Sequence, residues 1–323
     1  MNSGSANLDP LRPDATPDAI EAYRFFLGRK PDPAHPPQYG NIHDLNRMLE
    51  RSVEFRNSHR ALKAPLGWPL AQVFISKSAR VLYCPIGKNA CTFLKSEVAR
   101  ASGLPQMPYM LRDIHFLTDH VRTGLQLSDY TEDQVARLIV AKQYFKFAVL
   151  RDPTDRLLSA YIEKFVIGRL EPANIHHTKS VVDPVQAAAK ISPPNYDLGI
   201  TFRQFVQFIG SADITTLDPH WRSQASYLQG ITYDRLFRID QLDELIDILE
   251  ERSATSLERK ARNVTRSGRG TAKSGSADFY PADIAKAPRI LRDSFFDYEI
   301  QTIVENVFAS DYALIEQTRG FNS

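Results

Sequence analysis

The stretch "YFKFAVLRDPTDRLLSAYIEKF", residues 144–165, constrains the fold more than any other part of the chain. Its first half is a short apolar run of the kind buried on both faces of a parallel sheet. Its second half opens a helix. Asp152 takes the N-cap, Pro153 the first helical position, and Leu157, Leu158, Tyr161, Ile162 and Phe165 form one face. A strand running directly into a helix belongs to an α/β fold, and the pattern repeats. "ARVLYCPI" reads as a strand before the helix "TFLKSEVARASG", with Thr92 as N-cap and Gly103 past its end. "TEDQVARLIVAK" is a helix with a Thr131–Gln134 capping box, and "ITYDRLFRID" is a strand followed by the helix "QLDELIDILEERS". "TFRQFVQFIG", "DPHWRSQASYL" and "FFDYEIQTIVENVF" read as further helices. The expectation is a three-layer α/β domain over residues 70–323 with a mainly parallel central sheet.

Ahead of it, residues 1–16 have the composition of a disordered leader, and residues 17–68 read as a small helical module. Thr16 caps a helix that has Pro17 at its first position and Gly28 at its end, and "NIHDLNRMLERSVEFRNSHR" is a second amphipathic segment. Residues 168–200 are polar and weakly periodic and are expected to form an excursion or lid, in which His176 and His177 are solvated. Residues 262–278 read as a basic Gly/Ser loop.

A formal net charge of +2, with 24% charged residues, argues against nucleic acid or a membrane surface as partner, so any anion site must be local. Cys84 and Cys91 are the only cysteines, too few for a disulfide framework and wrongly spaced for zinc. With neither a signal-peptide pattern nor an apolar run long enough to span a bilayer, the reading is a cytoplasmic protein. The oligomeric state is left open.

Two strand-to-helix junctions carry the polar chemistry. In "PIGKNACT", Gly87 permits a tight turn, Lys88 brings a charge, and the following helix points its first amides at the loop. In "LRDPTDRLLS", Arg151 ends a strand at a helix N-terminus and Ser159 lies two turns further on. Ligands of open parallel sheets bind at such carboxyl ends. Asn89 stands where an ATP-binding loop would carry the Ser or Thr that holds magnesium.

"CPIGKNACTFLK" resembles the 5′-phosphosulfate loop of sulfotransferases that use 3′-phosphoadenylyl sulfate (PAPS), roughly C-P-x-x-K-x-G-C-T-x-x-K. "FKFAVLRDPTDRLLSAYIEKF" resembles their 3′-phosphate segment, K-F-x-F-V-R-D-P-F-x-R-L-x-S-A-Y-x-x-K-F. "DPHWRSQASYL" and "ITYDRLFRIDQLDELIDIL" are similar to the corresponding segments of the chondroitin 4-O-sulfotransferase group. "YRFFLGRKPDP…LNRMLERSVEFRNS" resembles a helical module attached to bacterial enzymes that build surface polysaccharides. Departures are Ala90 for the loop glycine, Asp240 for a glutamate, and Gln229 near a usual cysteine.

The resemblance implies a P-loop-like fold and in-line transfer of a sulfuryl group from PAPS to a carbohydrate hydroxyl, without a metal. It implies donor contacts from Gly87, Lys88, Asn89, Ala90, Cys91 and Thr92 at the 5′ end, and from Arg151 and Ser159 at the 3′-phosphate. Arg262, Arg266 and Arg269 would fold over the donor, and Lys88 would meet the bridging oxygen of the leaving phosphate. A sulfuryl group carries less negative charge than a terminal phosphoryl group, so lysine, arginine and helix amides can suffice. The acceptor hydroxyl needs a base, for which His115 is preferred, with His120 and His220 kept open. The rivals are a sulfotransferase acting on a lipid or small natural product, a P-loop nucleotide kinase, and a non-catalytic glycan-binding scaffold.

Overall fold

The structure is a computed structural model that describes residues 16–214, 216–259, 275–286 and 291–319. The leader expected over residues 1–16 lies outside these residues except for Thr16, and Arg262, Arg266 and Arg269 lie outside them altogether.

Three helices come first: α1 (Pro17–Leu27), α2 (Ile42–Arg51) and α3 (Val53–Arg56). The Thr16 side chain accepts from the Ala19 amide, and Gly28 closes α1 at φ 72°, the left-handed region that favours glycine. Phe25 and Phe26 of α1, Leu45 and Leu49 of α2 and Phe55 of α3 are buried in one cluster with sheet residues. The helices of residues 17–68 thus cap the main domain along one face. Arg112 donates to both Asp18 carboxylate oxygens, at 2.6 and 2.9 Å, across that contact.

Strands β1 (Phe74–Ser76), β2 (Val81–Cys84), β3 (Phe145–Leu150) and β4 (Arg235–Arg238) form a four-stranded sheet in the order β1-β2-β3-β4. The β1–β2 pair is antiparallel, while β2–β3 and β3–β4 are parallel, with Val81 opposite Phe145 and Phe147 opposite Arg235. Alternation along the strands divides the apolar residues between two faces. Val81, Tyr83, Phe147 and Val149 face the cluster holding the N-terminal helices, and Cys84, Ala148 and Leu150 face another. Both faces are covered, as a parallel sheet requires.

The β2–β3 crossover holds α4 (Cys91–Arg100), α5 (Met107–Met110), α6 (Ile114–His120) and α7 (Glu132–Val140). The β3–β4 crossover holds α8 (Pro153–Tyr161), a π-helical continuation over Ile162–Ile167, α9 (Pro172–Ala188) and α10 (Phe202–Ser211). After β4 come α11 (Leu242–Ser253), α12 (Pro281–Lys286), α13 (Tyr298–Val307) and α14 (Ala309–Arg319). A separate core is built from α8, α9, α10 and α13 around Phe165, Phe205 and Trp221.

Three expectations need correction. The polar excursion over residues 168–200 contains the 17-residue helix α9, whose buried face includes Asn174, Thr178 and Gln186. "DPHWRSQASYL" is a chain of turns with one short 3-10 helix, Ala225–Leu228, because the Asp218 carboxylate takes the His220 amide in a local turn. Thr92 is not an N-cap. Ala90 stands there at φ 58°, and Cys91 is already helical.

The loop from β2 to α4 is held in a tight form, with positive φ at Lys88 (70°) and Ala90 (58°). Such a conformation costs an L-residue about 1–2 kcal/mol. Below it lies the buried carboxylate of Asp311 on α14. It accepts from the backbone amides of Gln224 and Ala225 at 2.9 and 3.0 Å, and from the Ser223 hydroxyl. Gln224 in turn spans both junctions. Its Oε1 accepts from the Arg151 amide at 3.0 Å and from the Asn89 side chain at 2.6 Å, and its Nε2 donates to the Arg151 carbonyl at 2.9 Å.

Two stability predictions follow from this backbone, both read by chemical denaturation. Ala90→Gly removes a left-handed alanine at an unfolded-state entropy cost of roughly 0.4–1 kcal/mol, so a net gain of roughly 0.5–1 kcal/mol is expected. Asp311→Leu strands buried donors and is expected to cost about 3 kcal/mol, with Asp311→Asn milder.

Candidate active site

The site is assembled where β2 and β3 end. Three backbone carbonyls converge on the guanidinium of Arg156, which is 2% exposed. Arg156 donates to Gly87 O at 2.9 Å, Arg222 O at 2.7 Å and Pro219 O at 3.2 Å. The lysine loop is thereby fastened to the segment that carries His220. A Cβ added at Gly87 would lie 3.7 Å from the His220 Cα and 3.6 Å from the Tyr227 hydroxyl, so the two chains pass in contact. Arg151 lies alongside and donates from Nη1 to the Lys88 carbonyl at 3.1 Å.

Lys88 forms an ion pair with Glu163, which also meets Lys164 Nζ at 3.2 Å. Burial pulls the Glu163 carboxyl upward, but the charge and hydrogen bond of Lys88, together with Lys164, hold it below the usual carboxylate value. Glu163 reaches the loop from the π-helical continuation of α8. Asn89 is fully buried, and its amide nitrogen donates to Val149 O at 2.7 Å and to Gln224. Its side chain is therefore part of the scaffold beneath the loop. Cys91 and Thr92 begin α4, whose first-turn amides lack intrahelical partners by construction. Ser159 sits half-buried on α8.

The three candidate histidines have different surroundings. His220 Nδ1 lies 2.7 Å from Asp218 Oδ1, and a carboxylate there holds the proton on Nδ1 and leaves the Nε2 lone pair available. Burial lowers the His220 pKa below 6.5, and Asp218 offsets part of that shift. His115 has both nitrogens engaged, Nε2 with Thr92 Oγ1 at 2.8 Å and Nδ1 with Lys95 Nζ at 3.2 Å. Burial first, then the Lys95 charge, pushes its pKa down to about 4. His120 lies at the far end of α6, stacked on Phe116 with ring centroids 4.4 Å apart, and 3.7 Å from Glu50 of α2. It is not brought to the strand ends.

His177 was expected to be solvated. Instead α9 delivers it to the other oxygen of Asp218, at 2.9 Å, with its ring centroid 4.5 Å from that of His220. The two imidazoles hold Asp218 well below the usual carboxylate range despite its burial. Their ligand atoms and that of Asp218 lie within 4.8 Å of one another, a set that could take a divalent cation in place of the two imidazole protons. Hydrogen bonding alone accounts for the arrangement.

Sequence reasoning passed over Arg156, Glu163 and Asp218, and read His177 as solvated. The first lies inside the R-D-P segment already quoted, and Asp218 directly precedes Pro219-His220, so both were within reach. Arg292 was also missed. It donates to Thr154 Oγ1 at 2.5 Å and pairs with Asp155, tying the start of α8 to the segment before α13.

A model of the Sulfotransferase family matches residues 71–314. Among curated proteins, the chain is 29% identical to carbohydrate sulfotransferase 14 of Mus musculus over 152 residues, 47% of this chain and 38% of that protein. It is 27% identical to carbohydrate sulfotransferase 10 of Gallus gallus over 191 residues, covering 57% and 49%. For carbohydrate sulfotransferase 10 of Rattus norvegicus the identity is 28% over 193 residues, covering 58% and 50%. The chain thus spans half of these relatives' length or less. No solved structure matches it significantly. Among the described residues, no helix is long and apolar enough to cross a membrane. Because the family match runs from before β1 into α14 and encloses both strand-to-helix junctions, the chain belongs to the sulfotransferase family.

Proposed function

We propose that the chain transfers a sulfuryl group from PAPS to a hydroxyl of a carbohydrate by direct in-line displacement. The observation that carries this reading is the convergence of Lys88, Arg151 and the Asp218–His220 pair on one loop at the ends of β2 and β3. The donor set fits a nucleotide that carries two anionic groups: an ammonium, a guanidinium, and the N-terminus of α4, which has no side-chain cap. When bound, PAPS supplies an activated sulfuryl group. The carbohydrate acceptor is supported by the names of the relatives, carbohydrate sulfotransferases 10 and 14.

Lys88 neutralises charge developing on the departing phosphate, and preorganised donors of this kind are each worth roughly 10²–10³ in turnover. Arg151 and Ser159 hold the 3′-phosphate. His220 takes the acceptor proton at Nε2 while Asp218 orients its ring; we assign the base here rather than to His115, whose nitrogens are both engaged. Glu163 holds the Lys88 ammonium until a donor replaces it. The reading requires no metal.

Calorimetry with PAP, the donor's product, tests the site. Wild type is expected to bind PAP equally well with and without EDTA, Arg151→Ala and Lys88→Ala to lose binding, and Glu163→Gln to bind about two- to fivefold tighter, since a half-exposed ion pair is weak. Affinity for ATP instead, dependent on Mg²⁺, would favour the kinase, and failure to bind either would favour the scaffold. A polysaccharide acceptor screen separates the carbohydrate reading from a lipid or small-molecule acceptor.

The pH profile tests the base. A base works when unprotonated, so activity should rise as pH passes upward through the His220 pKa, placing the acid limb below pH 6.5. His220→Ala should lower turnover roughly 10²–10⁴-fold with little change in PAP affinity. An unchanged acid limb in His220→Ala would remove the assignment.

A further inference from the structure

Lys95 is a lysine only 6% exposed, one turn into α4 from the phosphosulfate-type loop. Among the described residues it forms no ion pair. Its ammonium lies over the Phe74 ring, 5.1 Å from the centroid, and 3.2 Å from His115 Nδ1. An ammonium has protons to donate and no lone pair, so Nδ1 must accept. The proton of a neutral His115 then sits on Nε2, which faces Thr92 Oγ1 at 2.8 Å. With its lone pair so occupied, the Thr92 hydroxyl must send its own proton elsewhere.

We propose that Lys95 and His115 form a positioning relay, in which Lys95 selects the Nε2–H tautomer of His115 and His115 turns the Thr92 hydroxyl proton toward the donor's 5′-phosphate. This rests on the donor-site reading above and deepens it. His115 is a positioning residue, acting through Thr92. The charged groups around it are Lys95 on α4, Asp113 and Asp119 beside and on α6, and His220 across the site. Burial and Lys95 outweigh the two carboxylates, which keeps the ring neutral over the working range.

Two measurements test the relay. Long-range ¹H–¹⁵N spectra of histidine-labelled protein without ligand, with His115 assigned from the His115→Gln spectrum, should show a neutral Nε2–H ring from pH 6 to 8. In PAP calorimetry, Thr92→Val and His115→Leu should each weaken binding about ten- to a hundredfold, the range of one hydrogen bond to a charged group. The double variant should be no weaker than Thr92→Val alone, because both act through one hydroxyl. His115→Gln, whose amide nitrogen can replace Nε2, should bind as wild type does. A ring protonated on Nδ1 or on both nitrogens, wild-type affinity in His115→Leu, or losses that multiply in the double variant would each overturn the relay. If His115→Leu fails to fold, the tautomer spectrum still decides. Wild type that binds no PAP would instead sink the donor site, an outcome distinct from a wrong tautomer.

Discussion

The guanidinium of Arg156 is the constraint from which the site follows. A cation this deeply buried is costly unless its protons find acceptors. Here the acceptors are the carbonyls of Gly87, Pro219 and Arg222, drawn from two loops far apart in sequence. Neither loop can shift without stranding a charge, so the lysine loop and the segment bearing His220 are locked in mutual register. Gln224 repeats the lock with an amide, joining Asn89 of one loop to the backbone of Arg151, and Asp311 holds Gln224 from beneath. The loop can therefore keep strained backbone at Lys88 and Ala90, because its surroundings over-determine it.

What was legible in the sequence was what local chemistry decides. The α8 start was readable because Asp152, Pro153 and an apolar stripe agree, and the structure has the carboxylate accepting from the Thr154 and Asp155 amides. β2 and β3 were readable as short apolar runs, and Thr131 with Gln134 formed the expected capping box. The Lys88 loop and Arg151 were found at strand ends because the fold class predicts ligands there. Thr92 was misplaced as a cap because nothing in the sequence says that an alanine will adopt the left-handed conformation one step before the helix.

Helix α9 was illegible for a specific reason. Its buried positions, Asn174, Thr178, Val181, Val182 and Gln186, keep helical spacing, but three of the five are polar. Asn174 serves the Gly168 carbonyl and Lys164, and Gln186 donates to the carbonyls of Asn195 and Gly199. The helix buries hydrogen-bonding capacity where an amphipathic pattern would bury methyl groups, and Pro184 inside it adds a false loop signal. Missing α9 meant missing His177, which reaches Asp218 across 41 residues of sequence. No spacing rule covers such a contact, and only the packed helix creates it.

The two histidines nearest the loop show how one residue type is given two tasks by its partner alone. Asp218, an acceptor, pins the proton of His220 on Nδ1 and leaves the Nε2 lone pair without a proton. Lys95, a donor, occupies Nδ1 of His115 and sends the proton to Nε2, toward Thr92. Opposite partners yield opposite tautomers, one a proton acceptor and the other a donor. Both rings are lowered in pKa by burial, and His220 adds to the depression of His115. On the proposed reading the site must bind an anion and still keep a neutral base, and it has to separate these requirements. Here Lys88 and Arg151 supply the fixed positive charge, and the histidines stay neutral.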